Sequence, residues 1–273
     1  MTDNAKIDKQ LTIMGVSHRG DTDNADGATI ISGNLNFIKG SSHSAVMGVY
    51  VSGNVVLTDS IANFTMRYCN VNSVQVKSSK SGGMIINQCY LRNTSDFGNC
   101  NVKLSNNIMH SAKNINAGTI SHNVITNNAR VLKSGSSIYY ENFALADVNN
   151  STITYNFILD GSSNHRGSTC TILNNCRGTV AWNDNPVVLP ENTKWDDVFK
   201  ANKGVTIASD YHLSDTWAKS KDPDLTGIGI YGSSGNDFSD AALAPIPRIV
   251  SKKVSETTDA FGQLEVTVTV KGN

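Results

Sequence analysis

The sequence is poor in long apolar runs and in charged residues. No run approaches the roughly 18 consecutive apolar residues that a membrane-spanning helix needs, which argues against a transmembrane segment. Charged residues make up 17% of the chain, and 23 basic residues balance 23 acidic ones to give a formal net charge of zero. This balance provides no electrostatic reason to expect nucleic acid or an anionic membrane as a partner.

Cysteine is also scarce, and its spacing suggests no metal site. The five cysteines include no C-x-x-C pair, and no histidine stands at zinc-ligand spacing from them. Their odd number argues against a complete disulfide framework. We therefore expect small buried thiols, with an approach of Cys69 to Cys89 on the next repeat as the alternative.

The N-terminal region does not have the pattern of a signal peptide, and it contains one polar loop. The first eight residues lack the apolar centre of a signal peptide, so either the protein has no leader or the chain is a processed form. The loop at 17–27 contains Asp21, Asp23 and Asp26 but lacks the glutamate that completes an EF-hand loop. We expect a solvated loop and no cofactor, with a calcium site as the less favoured alternative.

The chain is rich in Gly, Asn, Ser and Thr, and a short phrase recurs between Phe64 and Arg177. An apolar or aromatic anchor is followed by two mostly polar residues, an amide and further apolar residues. The anchors stand at steps of 19, 19, 16, 19, 14 and 19 residues: Met66, Ile85, Leu104, Ile120, Tyr139, Ile153 and Ile172. Such steps are too short for helix-pair repeats or propeller blades and are typical of one coil of a β-solenoid.

The amides of this phrase predict an internal ladder. The position three residues after the anchor is an amide in six of the seven copies, with Cys69 as the exception: Gln88, Asn107, Asn123, Asn142, Asn156 and Asn175. Coils about 4.8 Å apart would stack these side chains so that each binds the next. At this spacing, some ten to twelve coils would make a rod roughly 50 Å long.

The C-terminal part of the chain departs from the repeat. We predict a short flanking helix within 193–204, with Thr193 as its N-cap, and a last coil at 227–232. Alternating residues at 249–254 and 264–270 predict a β-hairpin. The expected organisation is a β-helix domain at 1–247 and a hairpin cap or tail at 248–273.

Three parts of the sequence resemble a known family. They are Leu-Thr-Ile-Met-Gly at 11–15, the Ile-x-x-Asn coils between Leu104 and Asn175, and Asp-Tyr-His-Leu-Ser at 210–214 followed by Gly-Ile-Gly-Ile-Tyr-Gly at 227–232. They resemble right-handed parallel β-helix proteins of the pectate-lyase-like superfamily, of the secreted or surface-associated bacterial type. The resemblance covers the chain to about Pro247. It implies an all-β, right-handed parallel β-helix located outside the cell or at its surface.

The resemblance leaves the function open, because this superfamily includes polysaccharide lyases, glycoside hydrolases, phage tailspikes and adhesins. A hydrolase needs two carboxylates about 5 to 9 Å apart on neighbouring coils. Glu141 or Asp147 with Asp160 are the conceivable pairs, although solvated corner charges explain all three residues. They are weak candidates for catalytic acids.

Carbohydrate contact has better candidates. Arg67 and Lys103 are expected two coils apart on adjacent outward columns, where an anionic sugar would bridge them. Tyr140 and Tyr155 offer rings that stack on sugar faces. The sequence thus favours an extracellular module that binds polysaccharide without strong catalysis. The alternatives are a polysaccharide lyase or glycoside hydrolase acting on the outer face, and a structural fibre, adhesin or tailspike-like component.

Overall fold

The protein winds short strands into a parallel β-helix. The computed structural model describes residues 4–16, 28–126, 130–134, 137–141, 144–159, 165–177, 187–201, 209–234, 238, 248–254, 257, 261 and 266–271. Within them eight coils follow one another, and each coil contributes one strand in turn to three parallel sheets, here called A, B and C. The predicted fold class, with a flanking helix and a C-terminal hairpin, is confirmed.

The strands are short because Gly, Asn and Ser interrupt them at each corner. Coil by coil they are β1 (Ala5–Ile7), β2 (Thr12–Met14), β3 (Thr29–Ile31); β4 (Leu35–Phe37), β5 (Ala45–Met47), β6 (Val49–Val51); β7 (Val55–Leu57), β8 (Thr65–Arg67), β9 (Asn70–Val71); β10 (Val74–Val76), β11 (Met84–Asn87), β12 (Tyr90–Leu91); β13 (Ser95–Cys100), β14 (Val102–Ser105), β15 (Ile108–Met109); and β16 (Ala112–Asn116), β17 (Thr119–Ser121), β18 (Val124–Ile125). A hairpin of β19 (Arg130–Ser134) and β20 (Ser137–Glu141) then precedes the last two coils, β21 (Leu145–Asn149), β22 (Thr152–Thr154), β23 (Phe157–Ile158) and β24 (His165–Arg166), β25 (Thr171–Leu173), β26 (Cys176–Arg177).

The C-terminal elements follow the coils. They are β27 (Val187–Val188), α1 (Trp195–Val198), β28 (Phe199–Ala201), β29 (Asp210–Leu213), α2 (Asp215–Lys219), β30 (Arg248–Val254) and β31 (Val266–Lys271). Strand β27 extends sheet C, β28 pairs with β29, and β30 pairs antiparallel with β31. Within the described residues no helix has the length and apolarity to cross a membrane.

Sheet B fixes the register of the coils. Its inward column consists of buried apolar residues paired in order: Val46, Met66, Ile86, Leu104, Ile120, Ile153 and Ile172. The predicted anchor at Ile85 was therefore wrong by one residue. The phrase at Tyr139 was not a coil either, because β20 pairs antiparallel with β19. The described residues thus contain eight coils, fewer than the predicted ten to twelve, and a spacing of 33 residues separates the paired Ile120 and Ile153.

The Asn ladder is present, in a shorter form than predicted. Asn107, Asn123, Asn156 and Asn175 are fully buried, and the Nδ2 of each of the first three donates to the Oδ1 of the next residue at 2.8–3.0 Å. The backbone N–H of Asn107, Asn123 and Asn156 donates to the same Oδ1 atoms at 2.9 Å.

The corrected register removes one predicted residue, Gln88, from the ladder and leaves another undescribed. Cys89 takes the place predicted for Gln88, and its N–H donates to Asn107 Oδ1 at 2.8 Å. Asn142 lies outside the described residues. Cys69 and Cys89 are both buried free thiols, as expected.

A second apolar core lies outside the coils. The outward column of sheet C is apolar from Tyr90 to Cys176, and the described residues within 187–238 bury it. Phe199 is central, with its ring centroid 5.1 Å from that of Phe157 and 5.4 Å from that of Tyr211. We call this second cluster the outer core, and the apolar interior of the coils the inner core.

Two predicted details of the flanking segment were wrong. Lys194, not Thr193, is the N-cap of α1, and no side chain caps this helix. Residues 227–232 form turns that pack on the outside of the coils and add no strand to a sheet.

Candidate functional site

The outer face of sheet B contains two of the predicted contact residues. Register places Lys103 beside Ile85 and Thr119 in one outward column, and Arg67 beside Asn87 in the other. Two coils separate Arg67 from Lys103, which is about 10 Å along the rod. Both side chains are exposed. The strand register thus puts the two cations in the expected columns, and their contact with a glycan stays a prediction.

The charges on the described strands of this face are all positive. Within the described strands of sheet B there is no aspartate or glutamate. The column that contains Lys103 continues through three exposed threonines, Thr119, Thr152 and Thr171. Threonine suits an outward strand position by its β-branched shape, and its hydroxyl adds a donor and an acceptor. The face therefore combines two cations with a row of hydroxyl groups.

A shallow groove of about 260 Å³ runs beside Lys103. Its lining consists of Gly83, Met84, Ile85, Asn101, Val102, Lys103, Ala117 and Thr119. Gly83 has a φ of +66°, and a Cβ at this position would lie 2.3 Å from Asn63 Oδ1. Since a side chain there would have to displace Asn63 and adopt a left-handed φ, the backbone at this end of the groove favours glycine. The groove offers an apolar floor with a cation, an amide and a hydroxyl at its margin.

The flanking segment borders the opposite side of the face. Asn106 Nδ2 donates to the carbonyl oxygen of Ile230 at 3.0 Å and to Ser233 Oγ at 2.7 Å. Beside this contact, Asn87 and Ser105 are buried although they belong to the outward column of sheet B that contains Arg67. Residues 230–233 thus border this face at the corner of coil 5.

Tyr155 lies at the corner where sheet B passes into sheet C. At this corner, coils 2 to 8 each have one residue with a left-handed φ of 53–62°: Gly48, Tyr68, Gln88, Asn106, His122, Tyr155 and Asn174. This conformation turns the chain so that the next residue points inward, which places the asparagines of coils 5 to 8 in the ladder. The Tyr155 ring is partly exposed and stacks on His122 with centroids 5.1 Å apart.

Tyr140 lies elsewhere on the molecule. Its strand β20 belongs to the hairpin inserted between sheet C of coil 6 and sheet A of coil 7. The topology thus separates it from Tyr155, which follows a strand of sheet B. The expectation that both tyrosines belong to the regular coils was wrong for Tyr140, and the contact of either with a sugar stays a prediction.

Two of the predicted acids, Glu141 and Asp147, lie outside sheet B. Glu141 ends β20 on the inserted hairpin, and Asp147 lies within β21 of sheet A with a left-handed φ of 52°. Asp160 lies outside the described residues, as do Asp21, Asp23 and Asp26 of the predicted polar loop. Among the described residues no group of three His, Cys, Asp or Glu could hold a metal ion.

Sequence reasoning missed a histidine–aspartate pair on the flanking segment. His212 Nδ1 lies 2.7 Å from Asp210 Oδ1, and the His212 ring stacks on Tyr231 with centroids 3.9 Å apart. Partial burial raises the pKa of Asp210, but hydrogen bonds from the backbone and ring of His212 outweigh it and lower the pKa. The signal was the spacing of two within β29, which puts Asp210 and His212 on one face of the strand.

Comparison with known proteins adds no relative. No family, curated protein or solved structure matches this chain. The β-helix and the surface of sheet B are therefore the basis for any functional argument.

Proposed function

We propose that the protein is an extracellular carbohydrate-associated module that binds polysaccharide on the outer face of sheet B without strong catalysis. The observation that carries this proposal is the pair of exposed cations, Arg67 and Lys103, on a face whose described strands have no carboxylate. The proposal retains the resemblance to secreted β-helix proteins of the pectate-lyase-like superfamily as its context.

The shape of the face suits a linear glycan lying along the rod. Outward columns run parallel to the coil axis, so successive sugars would meet Arg67, then Lys103 and its groove, then the threonine column. Sugar hydroxyls bind to threonine hydroxyls and to Asn101, while the apolar side of a sugar ring packs on Ile85. An acidic sugar gains charge-assisted hydrogen bonds from the two cations. Tyr155 offers a stacking ring at the edge of this path.

The distribution of carboxylates supports binding over hydrolysis. Glycoside hydrolysis needs an acid and a second carboxylate on either side of the scissile bond. Neither Glu141 nor Asp147 is on a strand of sheet B. A lyase that uses Lys103 or Arg67 as its base is the alternative in which the same face is catalytic.

A polysaccharide array assayed for both binding and cleavage tests the proposal. We expect binding to at least one glycan, weakened about tenfold by Lys103→Gln or by Arg67→Gln, since a charge-assisted hydrogen bond contributes roughly 1.5–3 kcal/mol. Lys6→Gln, which removes an exposed cation from sheet A, is the matched control and should bind like the wild type.

Each result of the array leads to a different conclusion. Absence of binding to every glycan would refute the proposal. Products that absorb in the ultraviolet because they contain a new double bond would identify a lyase, and shortened saturated chains would identify a hydrolase. Binding that all three variants retain would place the glycan on another surface.

A further inference from the structure

Strand register brings two cysteines to the same position of neighbouring coils. Asn70 pairs with Tyr90 in sheet C, so the residues just before them, Cys69 and Cys89, lie one above the other. The Tyr90 N–H donates to the carbonyl oxygen of Cys69 at 2.8 Å, which fixes this alignment at the corner itself. Coils in register are about 4.8 Å apart, and a disulfide needs Cα atoms roughly 4.4–6.8 Å apart. The backbone thus holds the two cysteines at a separation that a disulfide can bridge.

Side chains at this position contact one another from coil to coil. It is the position of the Asn ladder, where Asn107 Nδ2 donates to Asn123 Oδ1 at 3.0 Å further along the rod. Cys89 belongs to the same column, because its N–H donates to Asn107 Oδ1 at 2.8 Å. Cys69 and Cys89 both point into the inner core, where each is fully buried. The ladder therefore continues through these two coils with thiols in place of amides.

The other three cysteines do not have a cysteine at the matching position of a paired coil. All five cysteines lie within the described residues, so the comparison covers each of them. The residues opposite are Ile115 for Cys100, Ser151 for Cys170, and Phe157 and Val187 for Cys176. The fold thus aligns Cys69 with Cys89 and aligns none of the other cysteines with one another.

Joining the two sulfur atoms would remove only weak hydrogen bonds. The thiols donate to backbone carbonyl oxygens at 3.1–3.5 Å, from Cys69 to Arg67 and Val46 and from Cys89 to Asn87. A thiol is a weak donor. The carbonyl oxygens of Arg67 and Asn87 also accept the backbone N–H groups of Gly48 and Tyr68, which a disulfide would leave in place. The loss of the thiol protons therefore costs little hydrogen bonding.

We infer that Cys69 and Cys89 form a disulfide that joins coils 3 and 4 when the chain folds in an oxidising environment. Two S–H bonds break and one S–S bond forms. The two electrons and two protons pass to a low-molecular-weight disulfide such as oxidised glutathione, which becomes two thiols. Proteins that fold for use outside the cell meet such oxidants. The structure describes the reduced form, in which both thiols are free.

The exchange takes place in the folding chain, before coils 3 and 4 close. Burial raises the pKa of the Cys89 thiol well above its usual value, and a hydrogen bond with the Cys69 side chain raises it further. Thiol–disulfide exchange needs a thiolate that the reagent can reach, and the folded coils enclose both sulfur atoms. We therefore expect the bond to form during folding and to resist reductants once the coils are closed.

Counting thiols after refolding tests the inference. The full chain is refolded from urea with reduced and oxidised glutathione, denatured again, alkylated and weighed by mass spectrometry. We expect alkylation of three of the five cysteines and a peptide that links Cys69 to Cys89. The same chain refolded with dithiothreitol should have all five alkylated. Dithiothreitol added to the native oxidised protein should leave the bond intact, whereas it should reduce the bond in urea.

Two variants and a stability measurement sharpen the test. Cys69→Val is conservative because Val49 occupies this position in coil 2, and all four remaining cysteines should be alkylated. Cys100→Val is the control and should have two of four alkylated. The Tm of the wild type should be about 5–10 °C higher when oxidised, since the bond closes a loop of about 20 residues. Cys69→Val should show no such difference, and far-ultraviolet circular dichroism checks that both variants fold.

Three outcomes would overturn the inference: five alkylated cysteines in the wild type after oxidative refolding, a disulfide that joins any other pair, or the same loss of thiols in Cys69→Val. The glycan array reports on the outer face of sheet B, whereas both sulfur atoms lie in the inner core. The result of the array is therefore independent of this test.

Discussion

The inner core and the outer core are built in different ways. The inner core repeats one arrangement per coil, so a residue such as Asn123 contacts chemically similar neighbours above and below. The outer core contains aromatic residues brought together once, such as Phe199 with Phe157 and Trp195. Repetition lets each coil support the next, while the outer core depends on one segment returning along sheet C.

This difference predicts which interactions are cooperative. In a solenoid each repeat is stabilised by its neighbours, so a break in one coil weakens those on both sides. The outer core is a local contact between the segment 187–238 and sheet C. Its loss should release that segment while the coils remain paired.

The largest expected effect comes from the ladder. Asn123→Ala removes the acceptor of the Asn107 N–H and Nδ2, both of which are buried. Each orphaned buried group costs about 1–3 kcal/mol, so we expect a loss of about 3 to 5 kcal/mol in the free energy of unfolding, measured by urea denaturation.

Asn36→Ala is the control for this substitution, since the Asn36 side chain makes an exposed hydrogen bond of 3.3 Å to Ala5 O. It should change stability by less than about 1 kcal/mol. Equal losses in the two variants would contradict a special role of the ladder.

A smaller change in the free energy of unfolding is expected when the two tyrosines of the outer core ionise. Burial raises the pKa of Tyr90 to about 12 and raises the pKa of Tyr211, and both residues lie in this core. The folded state keeps both phenols protonated at a pH where the unfolded chain ionises them. Their contribution to stability is therefore complete below about pH 10 and is lost as the pH rises toward 12, by up to about 2 kcal/mol.

Fluorescence of Trp195 and Trp217, which both pack in the outer core, follows this transition. We expect it to change at a lower pH than the far-ultraviolet circular dichroism of the coils. Tyr90→Phe should shift the fluorescence change to higher pH. Coincident transitions in both proteins would show that the two cores unfold together.

The smallest expected change in stability comes from the corners of the inner core. Ala117 is exposed and has a left-handed φ of 56°, which costs a residue with a Cβ about 1–2 kcal/mol. Ala117→Gly relieves this strain but adds backbone entropy to the unfolded chain, so we expect a net gain of about 0.5 kcal/mol. Ser121→Gly, within β17, should lose a similar amount. Differential scanning calorimetry distinguishes a rise in Tm from a fall, and a fall for Ala117→Gly would contradict the corner strain.

The inner core could be predicted from the sequence because its residue pattern repeats from coil to coil. The spacing of Leu104, Ile120, Ile153 and Ile172 from their asparagines identified coils, ladder and fold class. The prediction of the inward residue was wrong at Ile85. Adjacent isoleucines fit the repeated phrase equally well there, and only strand pairing identifies Ile86 as the inward residue. The prediction also failed at Tyr139, where a strand of an inserted hairpin resembled a coil.

The outer core and the edge of the candidate site left no such periodic signal. The contact of Asn106 with Ser233 joins residues 127 positions apart, and nothing in the local sequence relates them. The two cations on sheet B were predictable because strand alternation alone sets which side chains point outward. The groove beside Lys103 depends on the corner at Gly83 and on neighbouring coils, so it required the assembled structure.

The hairpin of β19 and β20 shows how much extra chain one corner accepts. Ile120 and Ile153 pair directly across it, and Asn123 Nδ2 still reaches Asn156 Oδ1 at 2.9 Å. Closing a longer loop adds little entropic cost once its ends are fixed by neighbouring coils. The corner between sheet C and sheet A is therefore a suitable point for grafting a foreign peptide, which the rod would display beside coils that keep their own register.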